Sequence, residues 1–586
     1  MKWELTKLYP SLDAWQSDFD KLKEQIDTMG TYKGKLSEFD SFLSYYKLQK
    51  EMVVLIYKVY QYAALTSDLN KKDVNNSARV QKVAYQMSRL DQVTAFESPE
   101  LLEIGKETID AFINKDETLK EYSFSLEKLF RSQEHVLDSK SESLLANISQ
   151  LAGQGSEIYS ALSVADKVDK TVELTSGETL TITSGNYRSY LADLESPEDR
   201  KRVFETVFSQ YKDHKNAYAQ IYSTILKRDI ANMKNRNYSS SLESYLHGNN
   251  IPLDVFKNLV DVAKSNTAPI KRYYKMRKEY LGLEKHHTYD RFMPLAESSS
   301  KFTYEEAKEL FFDSVGHLNE EFINKAHSAL EDGYVDVYEQ EGKQTGAYSW
   351  GAINEHPFIL LNYDDTLNSV FTTAHEAGHS MHSLFSMDNE PVATQSYTIF
   401  VAEIASIFNE HNLLDYIIKN AKVTKEDKIN LLQQSIDDIL GTFYRQTLFA
   451  AYELRAHEIA EEGTPITYET LSGIMVDLYK EFYDIDITEE NGKEYVWAYI
   501  PHMFYTPFYV YQYATSFAAS LKMYEMVKED PKNIEKHIGL LKSGGNDYPV
   551  QQVKKAGVDL TTKEPFLAVV NRLNDLLDEL EVALKE

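Results

Sequence analysis

The stretch AHEAGH at residues 374–379 constrains the fold of this chain more than any other feature. His375 and His379 are four residues apart, and residues at that spacing lie on the same face of an α-helix. Glu376 is rotated by about 100° from the first histidine, so its carboxylate can reach a molecule held between the imidazoles. In the HExxH motif, two neutral imidazoles bind zinc and the glutamate acts as a general base. The sequence therefore predicts a helical metal site here.

A catalytic zinc needs a third protein ligand and keeps its fourth position open. The metzincin pattern would place glycine at 382 and histidine at 385, but His382 and Phe385 stand there, so that subclass is excluded. His382 shares a helical face with the first histidine of the motif, and we interpret it as a packed core histidine. The candidates for the third ligand are the downstream glutamates Glu390, Glu403 and Glu410.

Glu403 is favoured as the third ligand because of its surroundings. It lies in YTIFVAEIASIF, where apolar residues occupy every side, and an unpaired carboxylate buried there would cost several kcal/mol. A bound cation would remove that cost; a surface position or a salt bridge is the alternative. Glu390 precedes Pro391 in a predicted turn. Glu410 either accepts a hydrogen bond from a ligand histidine or is solvated at a helix end.

Composition limits the partners and the ligand types. The formal net charge of −28 repels nucleic acid and anionic membranes, so we expect neither as a partner. The chain has no cysteine, so a zinc site must use histidine and carboxylate ligands.

The opening segment MKWELTKLYPSLDAWQSDFDKL has no apolar leader, and we expect a cytoplasmic protein. Residues 495–521 lack charged side chains over a length that could span a bilayer, but their prolines and many tyrosines favour a buried wall facing a polar cleft.

Most of the chain has helical periodicity, so the predicted fold class is mainly α. Strand signals are few: KTVELTSGETLTIT at 170–183 predicts a β-hairpin, and residues 334–363 predict a small sheet just before the metal helix. A chain of 586 residues is too long for one simple core. We therefore place a boundary after the hairpin, which gives an N-terminal helical region over 1–200 and a catalytic region over 201–586.

The segment before the metal helix is also a candidate for binding an extended peptide. An exposed edge strand can pair with a peptide through main-chain hydrogen bonds. The candidates are GAYSWG, which contains Gly346 and Tyr348, and PFILLNY at 357–363. Glycine at 346 would allow close approach of another backbone. An ordinary buried strand pair is the alternative for either segment.

Several stretches together resemble the oligoendopeptidase F branch of the thimet oligopeptidase-like zinc peptidases. They are HEAGHSMHSLFS, YTIFVAEIASIFNEH, YIPHMFYTPFYVYQYATSFAAS, WELTKLYPSLDAWQSDF and RNYSSSLESYLHGNNIP, and they run along the whole chain. The resemblance implies a mainly helical, two-lobed enzyme with a deep central cleft and one zinc ion per chain. It also implies oligopeptide substrates cut at internal bonds, and it makes Glu403 the third ligand.

The resemblance further implies donors to the scissile carbonyl. Family members use a histidine followed by several tyrosines, and His502 matches the histidine. Tyr505 and Tyr509 match two of the tyrosines if this segment is two residues shorter than in thimet-type relatives. The last tyrosine of the pattern would then fall on Gln512, which makes the neighbouring Tyr513 a further candidate. Aromatic core packing is the alternative for each member of this row.

These features predict a zinc-dependent endopeptidase that hydrolyses short oligopeptides by attack of an activated water. Glu376 would be the base, while His502 and the tyrosines would stabilise the developing oxyanion. A peptide-binding protein with a degenerate metal site is the alternative, and the intact glutamate argues against it. A zinc hydrolase that acts on non-peptide amides is a further alternative, because it would use the same HExxH chemistry. The sequence leaves the oligomeric state open.

Overall fold

The structure is a computed structural model that describes residues 2–297, 300–420 and 423–586. The first helices are α1 Leu12–Gly30, α2 Phe39–Leu69, α3 Val74–Thr94, α4 Glu97–Ile104, α5 Lys106–Lys115, α6 Ser123–Ser132, α7 Ser139–Ala152, α8 Gln154–Ser160, α9 Tyr187–Asp193, α10 Pro197–Asp213, α11 Lys215–Asn235, α12 Ser241–His247, α13 Leu253–Ser265 and α14 Ala268–Tyr280. The series continues with α15 Tyr304–Val315, α16 Glu320–Ala329, α17 Leu367–Asn389, α18 Ile399–Asn420, α19 Lys425–Asp438, α20 Arg445–Glu461, α21 Tyr468–Tyr483, α22 Val496–Tyr499, α23 His502–Tyr505, α24 Tyr511–Glu529, α25 Ile534–Lys542, α26 Pro549–Lys555 and α27 Glu564–Lys585. The prediction of a mainly α fold is confirmed.

The described residues also contain five short strands: β1 Lys170–Glu173, β2 Thr179–Ile182, β3 Val335–Tyr338, β4 Tyr348–Trp350 and β5 Phe358–Tyr363. The first two form the predicted antiparallel hairpin, and the turn between them uses Gly177 at a φ of +86°. The others form the predicted small sheet in the order β3-β5-β4, with β3 parallel and β4 antiparallel to β5. This sheet immediately precedes α17, the helix that carries the histidine pair.

Two compact units divide the chain, and each collects separated segments. Unit 1 comprises Met1–Glu134, Ser300–Lys422 and Ala519–Val558. Unit 2 comprises His135–Ser299, Val423–Ala518 and Asp559–Glu586. The units interleave along the sequence, whereas the predicted regions 1–200 and 201–586 follow it in order, and their boundary stays a prediction.

Unit 1 has a hydrophobic core that ties its N-terminal helices to the small sheet. Trp15, Phe42 and Leu360 are among its buried members. The indole Nε1 of Trp3 donates to the carbonyl oxygen of Ile359 in β5 at 2.8 Å, which anchors the start of the chain on the sheet. The sheet in turn supports the helix that follows it.

The uncharged stretch 495–521 does not form one continuous helix. It contains α22 and α23 and the first part of α24, separated by short irregular segments. Among the residues that the structure describes, no helix combines the length and the apolar character needed to cross a bilayer.

Candidate active site

The predicted metal ligands lie on two packed helices of unit 1. Helix α17 begins after Thr366, whose hydroxyl accepts a hydrogen bond from the Ser369 backbone N–H and so satisfies one free donor of the first turn. His375 and His379 project from one face of this helix, as their spacing predicts. Glu403 projects from α18, the next helix along the chain. Its side chain is 25% exposed, so it borders open space rather than the sealed apolar core that its neighbours in sequence suggest.

The three ligand atoms form a small triangle. The two Nε2 atoms of His375 and His379 lie 3.2 Å apart, and each lies 3.4 Å from Oε2 of Glu403. Ligands bound about 2.1 Å from a tetrahedral zinc would lie about 3.4 Å from one another. The donor set of two imidazoles and one carboxylate is also the set found in many catalytic zinc sites. Both the spacing and the chemistry of these side chains therefore fit a zinc ion.

The site attracts positive charge. Burial disfavours the charged form of His375, yet the hydrogen bond and the charge of Glu410 raise the pKa of this imidazole to about 9. Burial likewise disfavours ionisation of Glu403, but its hydrogen bond with His379 and the charges of both histidines lower its pKa to about 2. The same negative potential that holds a proton here favours a metal cation.

Two further residues form hydrogen bonds with the side chains of the predicted ligands. Glu410 on α18 lies 2.8 Å from Nδ1 of His375, and this contact directs Nε2 of the imidazole at the other ligand atoms. Of the two roles that the sequence left open for Glu410, the structure shows the hydrogen-bonding one. The Ser406 hydroxyl donates to Oε2 of Glu403 at 3.0 Å. Sequence reasoning missed Ser406, although its position three residues after the glutamate puts it on the same helical face.

Glu376 is buried next to the ligands, with 6% of its surface exposed. Its Oε2 atom has no hydrogen-bond partner among the described residues, while the backbone of Ser349 in β4 hydrogen-bonds to its carboxylate. Burial raises the pKa of Glu376 above its usual range, against the lowering effect of the two histidines. One carboxylate oxygen is thus held in place and the other is free to exchange a proton.

Gly378 lets the two ligand helices approach closely. A Cβ atom at this position would lie 2.5 Å from Cα of Ser406 and 2.7 Å from the carbonyl oxygen of Ala405, both in the backbone of α18. A methyl group cannot fit there unless the helices separate. The glycine between the two histidines is therefore a packing requirement of the site.

Gly378→Ala is expected to destabilise the protein by about 1–3 kcal/mol or more and to weaken metal binding, because the histidines and Glu403 lie on the two helices that must separate. Chemical denaturation and the zinc content after dialysis would measure the two effects. Gly539→Ala is the control, since Gly539 is in the middle of a helix of the same unit with nothing within 4 Å of its added Cβ. If the two variants had equal stability and equal zinc content, the packing explanation would be wrong.

Strand β4 is one of the two edge strands of the small sheet, whereas β5, which contains most of the other candidate segment at 357–363, is the buried central strand. Gly346 lies just before it with a φ of +84°, and nothing lies within 4 Å of a Cβ built there. Tyr348 is partly buried, its hydroxyl donates to Asp68, and its ring lies 6.4 Å from that of Trp3. The Tyr348 side chain therefore faces the interior of unit 1. The next residue, Ser349, joins the strand to α17, because its hydroxyl lies 2.8 Å from that of Ser380.

The predicted histidine and tyrosines lie in unit 2, where three of them form a cluster. The imidazole of His502 lies parallel to the ring of Tyr509 with their centres 5.7 Å apart, and the Tyr513 hydroxyl lies 3.5 Å from His502 Nε2. Tyr505 lies apart from this cluster: it is 44% exposed and packs edge-on against Tyr159 at 5.5 Å. Burial lowers the pKa of His502, so its imidazole is neutral near pH 7.

The backbone between these aromatic residues is held by a buried carboxylate. Phe508 is buried and has a φ of +54°, a conformation that costs free energy for a residue with a bulky side chain. Its backbone N–H donates to Oε1 of Glu453 on α20 at 2.9 Å. Burial raises the pKa of Glu453 to about 8, although the hydrogen bond from Phe508 opposes the shift. Sequence reasoning missed this support because the two residues are far apart in the chain.

The chain is similar in sequence and in fold to known proteins. Residues 190–572 match the profile of Peptidase family M3, and residues 100–167 match that of Oligopeptidase F. Oligopeptidase PepF of Bacillus subtilis is 35% identical over 99% of this chain and 87% of its own length. A solved structure from Chlamydophila abortus has a TM-score of 0.91 at 32% identity and covers 99% of this chain and 98% of its own.

The structure of oligoendopeptidase-F from Enterococcus faecium has a TM-score of 0.75 at 28% identity, covering 97% of this chain and 98% of its own. Both the sequence matches and the structural matches thus extend over nearly the whole chain. The chain therefore belongs to peptidase family M3, in the oligoendopeptidase F group, and is a metalloendopeptidase.

Proposed function

We propose that this metalloendopeptidase uses zinc and hydrolyses internal bonds of short oligopeptides. One observation carries the proposal: the triangle of ligand atoms on His375, His379 and Glu403 has the edge lengths of a tetrahedral zinc site. The carboxylate of Glu376 interacts with the charges of all three, and its buried Oε2 atom has no hydrogen-bond partner among the described residues. A peptide-binding protein with a degenerate metal site would not need this free, buried carboxylate oxygen. The geometry therefore supports catalysis over binding alone.

The two imidazoles and the Glu403 carboxylate would hold the zinc ion. When bound, zinc supplies the Lewis acidity that polarises a scissile carbonyl and lowers the pKa of water. Glu410 fixes the orientation of the His375 ring, and Ser406 fixes that of the Glu403 carboxylate. These contacts reduce the rearrangement that the ligands would need on metal binding.

Glu376 is assigned as the general base. Its raised pKa and its burial suit a group that takes a proton at Oε2 from the attacking water and later passes it to the leaving amine nitrogen. The hydrogen bond from the Ser349 backbone holds the carboxylate in place during both transfers. The burial of Glu376 limits competition from bulk water.

His502 and Tyr509 are assigned as donors to the oxygen of the scissile carbonyl, with Tyr505 and Tyr513 as further candidates. A neutral imidazole and phenol hydroxyls can donate hydrogen bonds to a developing oxyanion without adding negative charge to the site. The parallel stacking of His502 on Tyr509 restricts the rotamers of both side chains. Glu453 supports the same segment through the Phe508 backbone.

The edge strand β4 is assigned as the surface that pairs with the substrate backbone. Gly346 leaves open space at the start of this strand, and Tyr348 would contribute its backbone because its side chain is bound to Asp68. Nucleic acid and membrane are not expected as partners, in view of the net charge of −28. A cytoplasmic site of action stays a prediction from the sequence.

The test is cleavage of an internally quenched peptide of about ten residues by the zinc-loaded protein, with the cut position mapped by mass spectrometry. Internal cleavage that stops on removal of zinc with a chelator and returns on readdition is the expected result. A folded protein substrate should stay intact under the same conditions. Stoichiometric zinc without cleavage of any tested peptide would overturn the proposal.

A further inference from the structure

Phe508 has a backbone conformation that is unusual for its side chain. Its φ of +54° lies in the left-handed region. The other described residues with positive φ are glycine, asparagine or aspartate, the types that adopt this conformation at the lowest cost. A bulky aromatic side chain is disfavoured there. Strained residues of this kind persist only where the surrounding structure holds them, and they are frequent at active sites.

A buried carboxylate holds the backbone of Phe508. Oε1 of Glu453 accepts a hydrogen bond from the Phe508 N–H at 2.9 Å, and the glutamate is fully buried. Its other oxygen, Oε2, has no hydrogen-bond partner among the described residues, and burial raises its pKa to about 8. Burial of such an acid costs free energy that an apolar side chain would avoid. The hydrogen bond to Phe508 is therefore the contribution that this carboxylate makes here.

Three rings surround the side chain of Phe508. The ring centres of His457, Tyr245 and Phe256 lie 4.6, 5.4 and 6.1 Å from the centre of the phenylalanine ring. His457 follows Glu453 by four residues on α20, so the imidazole and the carboxylate project from one face of that helix. Helix α20 thus contacts both the backbone and the ring of Phe508.

Two of these rings are fixed by a second buried carboxylate, that of Asp229 on α11. The Tyr245 hydroxyl donates to its Oδ1 atom at 2.9 Å, and Nε2 of His457 lies 3.1 Å from its Oδ2 atom. Tyr245 belongs to the segment RNYSSSLESYLHGNNIP, to which the proposed function gives no role. Helices from separated parts of unit 2 therefore determine together where Phe508 lies.

Phe508 directly precedes Tyr509, one of the two assigned donors to the scissile carbonyl. The rings of Tyr509 and His502 lie with their planes 6° apart and their centres 5.7 Å apart. The chain between them leaves α23 at Tyr505 and passes through Phe508. Because the φ of a residue sets the direction in which the chain continues, an extended or right-handed Phe508 would turn Tyr509 away from this arrangement.

We propose that Glu453 is a positioning residue for peptide-bond cleavage, which holds Phe508 in the left-handed conformation and thereby places Tyr509 beside His502. Its full burial keeps it from contact with a substrate, so it acts through these side chains. Donors to an oxyanion must be in place before the reaction, and a displacement of about 1 Å can lower the rate by about 10²-fold. This inference rests on the proposed function, in which these two side chains donate to the scissile carbonyl.

The test compares the zinc-loaded parent with two variants of Glu453 on a quenched peptide of about ten residues. Glu453→Leu removes the acceptor, so kcat is expected to fall by about 10–100-fold, with KM within about twofold of the parent and zinc content unchanged. Glu453→Gln keeps an oxygen that accepts from the Phe508 N–H, so its kcat should stay within about threefold of the parent. A glutamine variant as slow as the leucine variant would overturn the inference.

Glu458→Leu is the matched control, because it makes the same substitution at an exposed position of the same helix. It should retain the parental kcat. Far-ultraviolet circular dichroism would establish that each variant is folded. If Glu453→Leu does not fold, Glu453→Met carries the comparison, because methionine is unbranched like glutamate and fills irregular spaces in a core.

A double-mutant cycle separates positioning from a general structural role. In a protein that carries Tyr509→Phe and His502→Leu, the donors are absent, so the further change Glu453→Leu should lower kcat by less than about threefold. An equal fall in kcat with and without the donors would overturn the inference, as would a parental kcat in Glu453→Leu. Cleavage by the parent in either case would leave the proposed peptidase function intact, whereas failure of the parent to cut any peptide would remove that function instead.

Discussion

Glu376→Gln is expected to lower kcat/KM for a quenched peptide of about ten residues by about 10³-fold at equal zinc content. An amide has the shape of the carboxylate but cannot accept a proton, and Oε2 of Glu376 is a buried oxygen without a hydrogen-bond partner among the described residues. The hydrogen bond from the Ser349 backbone can persist with the amide oxygen. The substitution therefore removes the proton transfer and little else.

Loss of structure cannot account for this effect. An ionised carboxylate is costly to bury, so its replacement by a neutral amide should leave Tm unchanged or raise it slightly. Glu341→Gln is the matched control, since the side chain of Glu341 is 86% exposed and pairs with the surface residue Lys72. This variant should retain parental activity. A loss below about tenfold in Glu376→Gln would assign the proton acceptor to another group.

Glu403→Ala is expected to have the largest effect on metal binding. Loss of a partner that merely orients a ligand typically weakens metal affinity by about 10–100-fold, and loss of a ligand should exceed that range. With the Glu403 side chain removed, two imidazoles on one helix remain, and the Ser406 hydroxyl keeps only its backbone acceptor at residue 403. The variant should lose zinc on dialysis, and its peptidase activity should fall with its zinc content.

Glu410→Gln provides the graded comparison for Glu403→Ala. It replaces the acceptor at His375 Nδ1 but leaves all three ligand atoms in place, so zinc affinity should fall by about 10–100-fold. Competition with a chromogenic chelator would rank the parent, Glu410→Gln and Glu403→Ala in that order of decreasing affinity. If Glu403→Ala bound zinc as tightly as the parent, Glu403 would not be a ligand.

The elements that the sequence predicts correctly depend on local signals. The hairpin follows from alternating residues around Ser176 and Gly177, and the structure places that glycine at positive φ. The start of helix α10 has an equally local cause: Ser196 precedes Pro197, and its hydroxyl accepts a hydrogen bond from the Asp199 backbone N–H. These features need only the nearest residues in the chain, so they can be predicted without knowledge of the packing.

The sequence argument for Glu403 described the environment of this side chain incompletely. Its apolar neighbours in sequence indicated full burial, but its side chain is partly exposed toward the ligand triangle. The apolar residues around it pack on other faces of α18, and Ser406 contributes a hydrogen bond. A linear pattern shows which residues are near in the chain and does not show where open space lies.

The sequence by itself determined the helical histidine pair, the adjacent glutamate and the mainly α fold, because the 3.6-residue period fixes relations within one helix. The tertiary structure alone decided the contacts between helices: the hydrogen bond of Glu410 to His375 and the exclusion of a side chain at Gly378. These contacts join residues whose separation in sequence carries no distance information, so only the packing of the whole chain can place them.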